Sequence, residues 1–351
     1  MTSKEYKQTI KNTMIINCPE YMHVNFLKFL QNKGLVFNDR RCSKKENILD
    51  LSSYSSSEKK INIIFEQLEN IERLYEEFEY EKAYRISSIC KYKNIQFDSI
   101  DDLKANNIIK TFSQDSFDSL NFENPTIKEI EHKIFLKFSM KLDDQSEEKN
   151  SIKHTILVII DKVTKSIEIR QNTIPIIYKN IDNFYEKCLN TTKQWIKHYL
   201  LAHITELDFQ ALTRYMKSKK EEIKIIAVNL RRHGMEANLD SASNVDLTLP
   251  ILDELRNKIA QEKVFHDSSV GINIKKILED FMIDIEENSD LPSAKIFWTE
   301  KDIRVHIFNA ETLNSNSMIK FIGKLKSGES MSYVANYIIN SYEELAKTYK
   351  D

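Results

Sequence analysis

The sequence predicts an α+β protein with an antiparallel β-meander at about 129–174, long helices, a mostly helical N-terminal part and a C-terminal β-hairpin followed by a helix. Residues 129–142 alternate apolar and polar side chains, which is typical of a strand with one buried face. Residues 58–86 and 329–349 instead place apolar side chains at three- and four-residue steps, as amphipathic helices do. A hydrophobic content of 41% is enough for a core and excludes wholesale disorder.

The N-terminal part is expected to be a helical region over 1–120. A first helix is predicted between Pro19 and Gly34, because proline suits the first helical position and glycine the residue after the last. The serine-rich stretch 51–58 predicts a loop, and one helix is expected over 58–86. We interpret its glutamates as a solvated face, with a docking surface for a protein partner as the alternative. These glutamates are Glu66, Glu69, Glu72, Glu76 and Glu77.

A second region, α+β with an antiparallel sheet, is predicted over 125–351. The boundary is expected within 113–127, and 51–58 is the second candidate. Its meander comprises strands at 129–142, 154–161 and 166–174. Pairing Asp161 with Ser166 across the second turn places apolar residues opposite each other on one face.

The remaining segments follow from the same periodicities. A long helical stretch is expected over 181–219, and a strand over 223–229. The further predictions are helices at 250–261 and 274–287, a hairpin of 294–298 with 303–308, and a last helix at 329–349.

Rare residues exclude several classes of enzyme. There are 5 glycines, and none lies between Gly34 and Gly234, so no G-x-G-x-x-G or P-loop motif exists. G-x-S-x-G is also missing. The 4 cysteines lie far apart, with no C-x-x-C pair. We therefore expect no cofactor, and no zinc site built from cysteines.

The histidines do not form a metal site by spacing. Placing residue 142 opposite about 153 puts His132 and His154 at opposite ends of their hairpin. His198 and His203 are five apart, not the four that brings two rings onto one helix face. We expect no metal ligands among them.

One acidic constellation fits a divergent nuclease. Asp161 closes the second strand of the meander, and Glu168 and Arg170 lie on the third as E-I-R. Two carboxylates and a cation on one sheet face are the residue types that hold Mg²⁺ and assist an attacking water. The alternative is that these residues are charged because their face of the sheet is wet.

A basic cluster between the long helical stretch and the next strand fits nucleic-acid binding. Six cations against two glutamates are suited to neutralising phosphates of DNA or RNA. The alternative is that the lysines of this cluster lie at the C-terminus of a helix, where they stabilise the helix dipole. The cluster comprises Lys217, Lys219, Lys220, Lys224, Arg231 and Arg232.

These patterns favour a non-enzymatic binding or assembly protein that associates with nucleic acid. The charge balance, 51 basic against 53 acidic residues, excludes a strongly basic coat. Abundant lysine, asparagine and isoleucine indicate an AT-rich genome. Together with the lack of a catalytic motif, this composition favours an accessory protein of a mobile element or a phage-defence system. The runner-up is the Mg²⁺-dependent nuclease, and the third reading is a subunit acting through protein contacts of 58–86. With no apolar leader and no aliphatic run longer than five residues, we expect a cytoplasmic protein without membrane contact.

Overall fold

The computed structural model describes residues 2–38, 48–112, 120–144, 150–179, 181–219, 222–240, 250–310, 315–325 and 327–348. It is an α+β protein that divides into two compact units, each described by itself below. Unit 1 comprises Met1–Leu207 and Gly323–Asn340, and unit 2 comprises Asp208–Ile322 and Ser341–Asp351. The sequence favoured a boundary within 113–127; residues 113–119 lie outside the described residues, and 120–127 belong to unit 1. The N-terminal helices pack on the meander within this unit.

The helices are α1 (Ser3–Asn12), α2 (Glu20–Asn32), α3 (Ser57–Gln67), α4 (Ile71–Glu81), α5 (Ser99–Ala105), α6 (Phe184–Tyr199), α7 (Phe209–Lys219), α8 (Pro250–Gln261), α9 (Ser269–Asn288) and α10 (Gly328–Thr348). The strands are β1 (Val36–Phe37), β2 (Leu49–Asp50), β3 (Ile86–Lys93), β4 (Lys110–Thr111), β5 (Thr126–Ile130), β6 (Lys133–Asp143), β7 (Ser151–Asp161), β8 (Ser166–Gln171), β9 (His203–Glu206), β10 (Ile223–Arg232), β11 (Met235–Asp240), β12 (Asp290–Trp298), β13 (Ile303–Phe308) and β14 (Met318–Ile322).

The predicted meander forms the centre of unit 1. Strands there are ordered β3-β8-β7-β6-β5-β4, with β9 also paired to β3. Asp161 pairs with Ser166, so the predicted register of β7 and β8 is confirmed. In the preceding hairpin Leu142 pairs with Ile152, one residue away from the expected partner.

The first predicted strand, 129–142, is wrong as a single element. It is the end of β5 and nearly all of β6, joined by a two-residue turn at Glu131 and His132. Glu131 takes a positive φ of 52°, as such tight turns require. Because Ile130 pairs with Lys133, an even and an odd position share one face, so the phase of the alternation reverses at the turn and Ile130 lies on the same face as Phe135.

Both faces of the sheet are buried, which corrects the expectation of a wet polar face. The apolar face is covered by α6, where Phe138 meets Trp195 edge-on at 5.1 Å between ring centroids. The opposite face carries Lys137 and Lys153, and the N-terminal helices pack over it. The polar half of the alternation therefore marks a second, charged interior.

Two predicted helices are each interrupted. The segment 58–86 is wrong as one helix: α3 and α4 are separated at Asn70, whose left-handed backbone (φ 54°) an α-helix cannot accommodate. Residues 86 onward form β3 instead. The stretch 181–219 is likewise α6, β9 and α7, because Leu201 takes φ 49° and ends the first helix.

The glycine cap of α2 was predicted correctly, whereas the proline is the N-cap, one position before the first helical residue that was predicted for it. Pro19 precedes its first turn, and Gly34 takes φ 71° after its last. The amide of Leu35 donates to the carbonyl of Leu30 and the amide of Gly34 to that of Gln31, which is a Schellman closure.

Unit 2 contains the predicted C-terminal hairpin. Its strands are ordered β11-β10-β12-β13-β14, and β12 pairs with β13 from Trp298–Ile303 to Ser293–Phe308. Helices α8 and α9 pack on each other through Leu252, Ile259 and Met282. None of the helices in the described ranges of either unit is long and apolar enough to cross a membrane.

Candidate functional site

The charged face of the unit 1 sheet is organised in cross-strand rows. Lys128, Phe135, Ile159 and Glu168 pair in succession across β5, β6, β7 and β8. Since side chains alternate along a strand, residues two positions away share the same face. Lys137 and Arg170 therefore lie on this face, in the next row.

Helix α4 adds two carboxylates to this face and forms a buried ionic network. Lys153 donates to Oε2 of Glu79 at 2.6 Å and also to Glu76. Lys137 donates to Glu76, and Lys82 lies 3.0 Å from Oε1 of Glu79. All five side chains are buried, and they comprise three ammonium groups against two carboxylates.

The network holds Glu79 in its charged form. Burial by itself raises the pKa of this carboxyl, but Lys153, Lys82 and Lys137 outweigh burial and leave the pKa well below its usual range. Thr155 also donates its hydroxyl to Oε1 at 2.6 Å. Tyr75 packs its ring between two of the lysines, and burial raises the pKa of its phenol well above the usual value.

A second buried pair lies at the end of this face. Arg170 donates from Nη2 to Oε2 of Glu168 at 2.7 Å, and Ser87 donates to Oε1 at 2.9 Å. The same guanidinium donates to the hydroxyl of Ser332 at 2.9 Å and to the carbonyl of Gly328 at 3.2 Å. Its Nε is buried and has no hydrogen-bond acceptor.

A cavity of about 660 Å³ opens above Arg170. Its walls are α2, the end of α4, the start of α10 and the charged face of the sheet. Four cations line it against two carboxylates, so its lining is cationic. The lining comprises Asn25, Lys28, Phe29, Asn32, Phe78, Tyr80, Glu81, Lys82, Ala83, Lys128, Ile130, Phe135, Ile159, Arg170, Ser327, Gly328, Glu329 and Ser332.

The first turn of α10 forms one wall of this cavity through Ser327, Gly328 and Glu329. Gly328 allows the approach: a Cβ there would lie 2.6 Å from the carbonyl oxygen of Glu81. The amides of a first helical turn lack partners within the helix and carry a partial positive charge. The cavity thus combines a helix N-terminus with a buried guanidinium.

The nuclease constellation is only partly brought together. Glu168 and Arg170 bond each other, but Asp161 serves the β7–β8 turn and does not line the cavity. Its Oδ1 accepts from the amides of Val163 and Thr164 at 2.9 and 3.0 Å. Burial opposes the charged form of Asp161, yet these amides, Lys133 and His132 keep its pKa below the usual value.

The predicted nucleic-acid residues that lie in the described ranges are spread along unit 2. Lys217 is exposed on α7, whereas Lys224 is half-buried near the start of β10 and Arg231 is half-buried near its far end. At about 3.3 Å per residue, Lys224 and Arg232 are roughly 26 Å apart. Arg232 also binds the carboxylate and carbonyl of Asp284. Lys220 lies outside the described residues, and of Lys219 only the helical backbone is described.

The two strand histidines are separate, as expected from the sequence. His132 lies in the β5–β6 turn, 3.4 Å from Asp161, while His154 is buried against Phe184 and hydrogen-bonds Gln171. Burial lowers the pKa of His154 to about 4. In the described part of the chain, no three His, Cys, Asp or Glu side chains are grouped as ligands for a metal.

The cavity could not be predicted from the sequence, because its walls come from segments that are far apart along the chain. Asn25, Lys128 and Gly328 are separated by more than a hundred residues each, and no motif links them. One signal was present: lysines at 137 and 153 recur in phase on neighbouring strands, and glutamates at 76 and 79 follow a helical step. Comparison with protein-family models, with curated proteins and with solved structures finds no match for the chain.

Proposed function

We propose that this is a non-enzymatic binding protein whose unit 1 cavity holds the anionic group of a small ligand. One observation carries the proposal: the buried Arg170, with an unpartnered Nε, lies in the cavity beside the first turn of α10. A guanidinium and helix-terminal amides together are the protein groups best suited to a phosphate or carboxylate.

The charge around the cavity supports an anionic ligand. Lys28 is exposed at the rim and Lys128 is half-buried, so both are accessible to an incoming group. Beneath them, the buried network around Glu79 has one more cation than carboxylates. The net positive charge of these five side chains would favour an anion bound nearby.

Binding is a better proposal than catalysis because the carboxylates are already engaged. Glu168 accepts hydrogen bonds on both oxygens, from Ser87 and Arg170, and Asp161 caps a turn. A Mg²⁺-dependent nuclease would need a cation to displace Arg170 from Glu168. A nucleic-acid surface at 217–232 is also less favoured, since Arg232 is paired to Asp284 and lies far from Lys224.

Calorimetric titration with inorganic phosphate tests the proposal. We expect saturable binding to the wild-type protein, weakened by added salt. The double variant Lys28→Gln/Lys128→Gln should bind roughly fivefold more weakly, since each partly exposed cation contributes up to about 1 kcal/mol. Lys4→Gln is the control, because Lys4 is exposed on α1 away from the cavity. Absent binding, or equal loss in the control, would refute the anion site.

We also propose a reducing compartment, the cytoplasm, for this protein. Cys18, Cys90 and Cys188 are free thiols. Burial raises their pKa values to about 11, 12 and 12, so the thiols stay protonated and unreactive. Mass spectrometry of protein purified without reductant should find these three thiols free, and a disulfide among them would contradict the assignment.

A further inference from the structure

We infer that the anionic group is the 5′-phosphate of a nucleotide whose base stacks on Phe135. This inference rests on the proposed anion site and adds the organic part of the ligand. It draws on the aromatic residues of the cavity, the spacing of Phe135 from Arg170, and the cavity volume.

Phe135 is placed to receive a planar ring. It is half-buried in the cavity floor, and within the described residues no aromatic or cationic group stacks on it. The other aromatic side chains of the lining are already occupied: Tyr80 is buried beneath two lysines, and Phe29 and Phe78 pack on Phe26. Bases stack on such available aromatic faces without needing a specific edge pattern.

The sheet register fixes the distance between Phe135 and Arg170. Phe135 pairs with Ile159, which pairs with Glu168, and Arg170 is two residues further along β8. Two interstrand steps of about 4.8 Å and one two-residue step place their Cα atoms about 12 Å apart. A 5′-nucleotide carries its phosphate and base at opposite ends, and can span this separation with the phosphate at the start of α10.

The remaining lining fits the intervening sugar and the base edges. Asn32 is exposed at the rim, and Lys128 lies directly opposite Phe135 across the β5–β6 hairpin. A cavity of about 660 Å³ falls within the range of small-ligand sites. The same chemistry is offered by a free nucleoside monophosphate and by the 5′-phosphate end of a single strand.

Titration calorimetry with adenosine monophosphate, inorganic phosphate and adenosine tests the inference. Base stacking on an aromatic ring should make the nucleotide bind at least about fivefold more tightly than phosphate. Phe135→Leu should remove this gain, so that the nucleotide binds this variant no more tightly than phosphate does. Phe97→Leu, a half-buried phenylalanine outside the cavity, should retain the gain. Urea unfolding of both variants verifies that they are folded.

The outcomes separate the two proposals. Phosphate binding without any gain for the nucleotide overturns the base-stacking inference and leaves the anion site standing. If neither phosphate nor the nucleotide binds, both the anion site and the base-stacking inference are overturned. A single-stranded oligothymidylate with and without a 5′-phosphate then distinguishes the sources: tighter binding of the phosphorylated strand than of the mononucleotide assigns a strand end, and binding of the mononucleotide alone assigns the free nucleotide.

Discussion

The ammonium of Lys153 lies 2.6 Å from the carboxylate of Glu79, and both side chains are fully buried although 74 residues separate them in the chain. This pair joins β7 to α4 and lies at the centre of the ionic network beneath the cavity. A buried charge that loses its partner is strongly destabilising, so the network also fixes how the N-terminal helices sit on the meander.

Replacing Lys153 by methionine tests this role. The change leaves Glu79 without its closest cation, and we expect the free energy of unfolding to fall by about 3–5 kcal/mol. Lys141→Met is the matched control, because Lys141 pairs directly with Lys153 across β6 and β7 and lies on the same face, but is exposed. Urea unfolding of the three proteins measures the difference, and a loss below about 1 kcal/mol for Lys153→Met would show that the network is not formed.

Stability should depend on pH through His154. Its pKa falls from 6.5 to about 4 on folding, because burial disfavours the charged ring. The unfolded chain therefore takes up the proton first, and the folded state loses stability as pH falls from above 6.5 towards 4. Between pH 7.5 and 5.0 this loss is about 2 kcal/mol.

His154→Gln provides the comparison for that titration. The variant should show a pH dependence of unfolding that is shallower by the same amount, whereas His203→Gln, at an exposed position, should match the wild type. Equal slopes in all three proteins would mean that His154 is accessible to protons in the folded state.

Removing a carboxylate from the cavity should strengthen anion binding. Glu329 is exposed in the first turn of α10 and lines the cavity, where it opposes an anion at the same helix terminus. We expect Glu329→Gln to bind phosphate roughly two- to fivefold more tightly, which is the effect of one charge near a helix end. Glu20→Gln, at the equivalent turn of α2, should leave affinity unchanged. Weaker phosphate binding by Glu329→Gln would place the anion elsewhere.

Titration with a divalent metal ion distinguishes the proposed binding function from the nuclease alternative. Titration with MnCl₂ should give the same heats for the wild type and for Glu168→Gln, because Glu168 is already paired to Arg170. A stoichiometric Mn²⁺ site that disappears in Glu168→Gln would instead support metal-dependent cleavage, and an assay of single- and double-stranded substrates would follow.

The features that could be predicted from the sequence are those that follow from local patterns of residues, such as strand register and helix limits. The β7–β8 register followed from pairing Asp161 with Ser166, and the limits of α2 followed from Pro19 and Gly34. The break at Asn70 was not predicted, because asparagine adopts the left-handed conformation without marking it in the apolar pattern.

The candidate site depended on long-range packing, which periodicity does not encode. The alternation over 129–142 predicted a strand with one buried face, yet Lys137 and Lys153 on the other face are buried too, because α4 supplies Glu76 and Glu79 from a distant segment. Glu168 and Arg170 were named from the sequence, but as part of a metal site. The ion pair of Glu168 with Arg170, and the hydrogen bond from Arg170 to the carbonyl of Gly328, are seen only in the three-dimensional structure.

Crystals of the protein soaked with tungstate, a heavy tetrahedral analogue of phosphate, would show whether the unit 1 cavity binds an anion. We predict strong density within hydrogen-bond distance of the α10 first-turn amides and the Arg170 guanidinium. Tungstate bound only at other surfaces, with this cavity occupied by water alone, would show that the cavity is not an anion site.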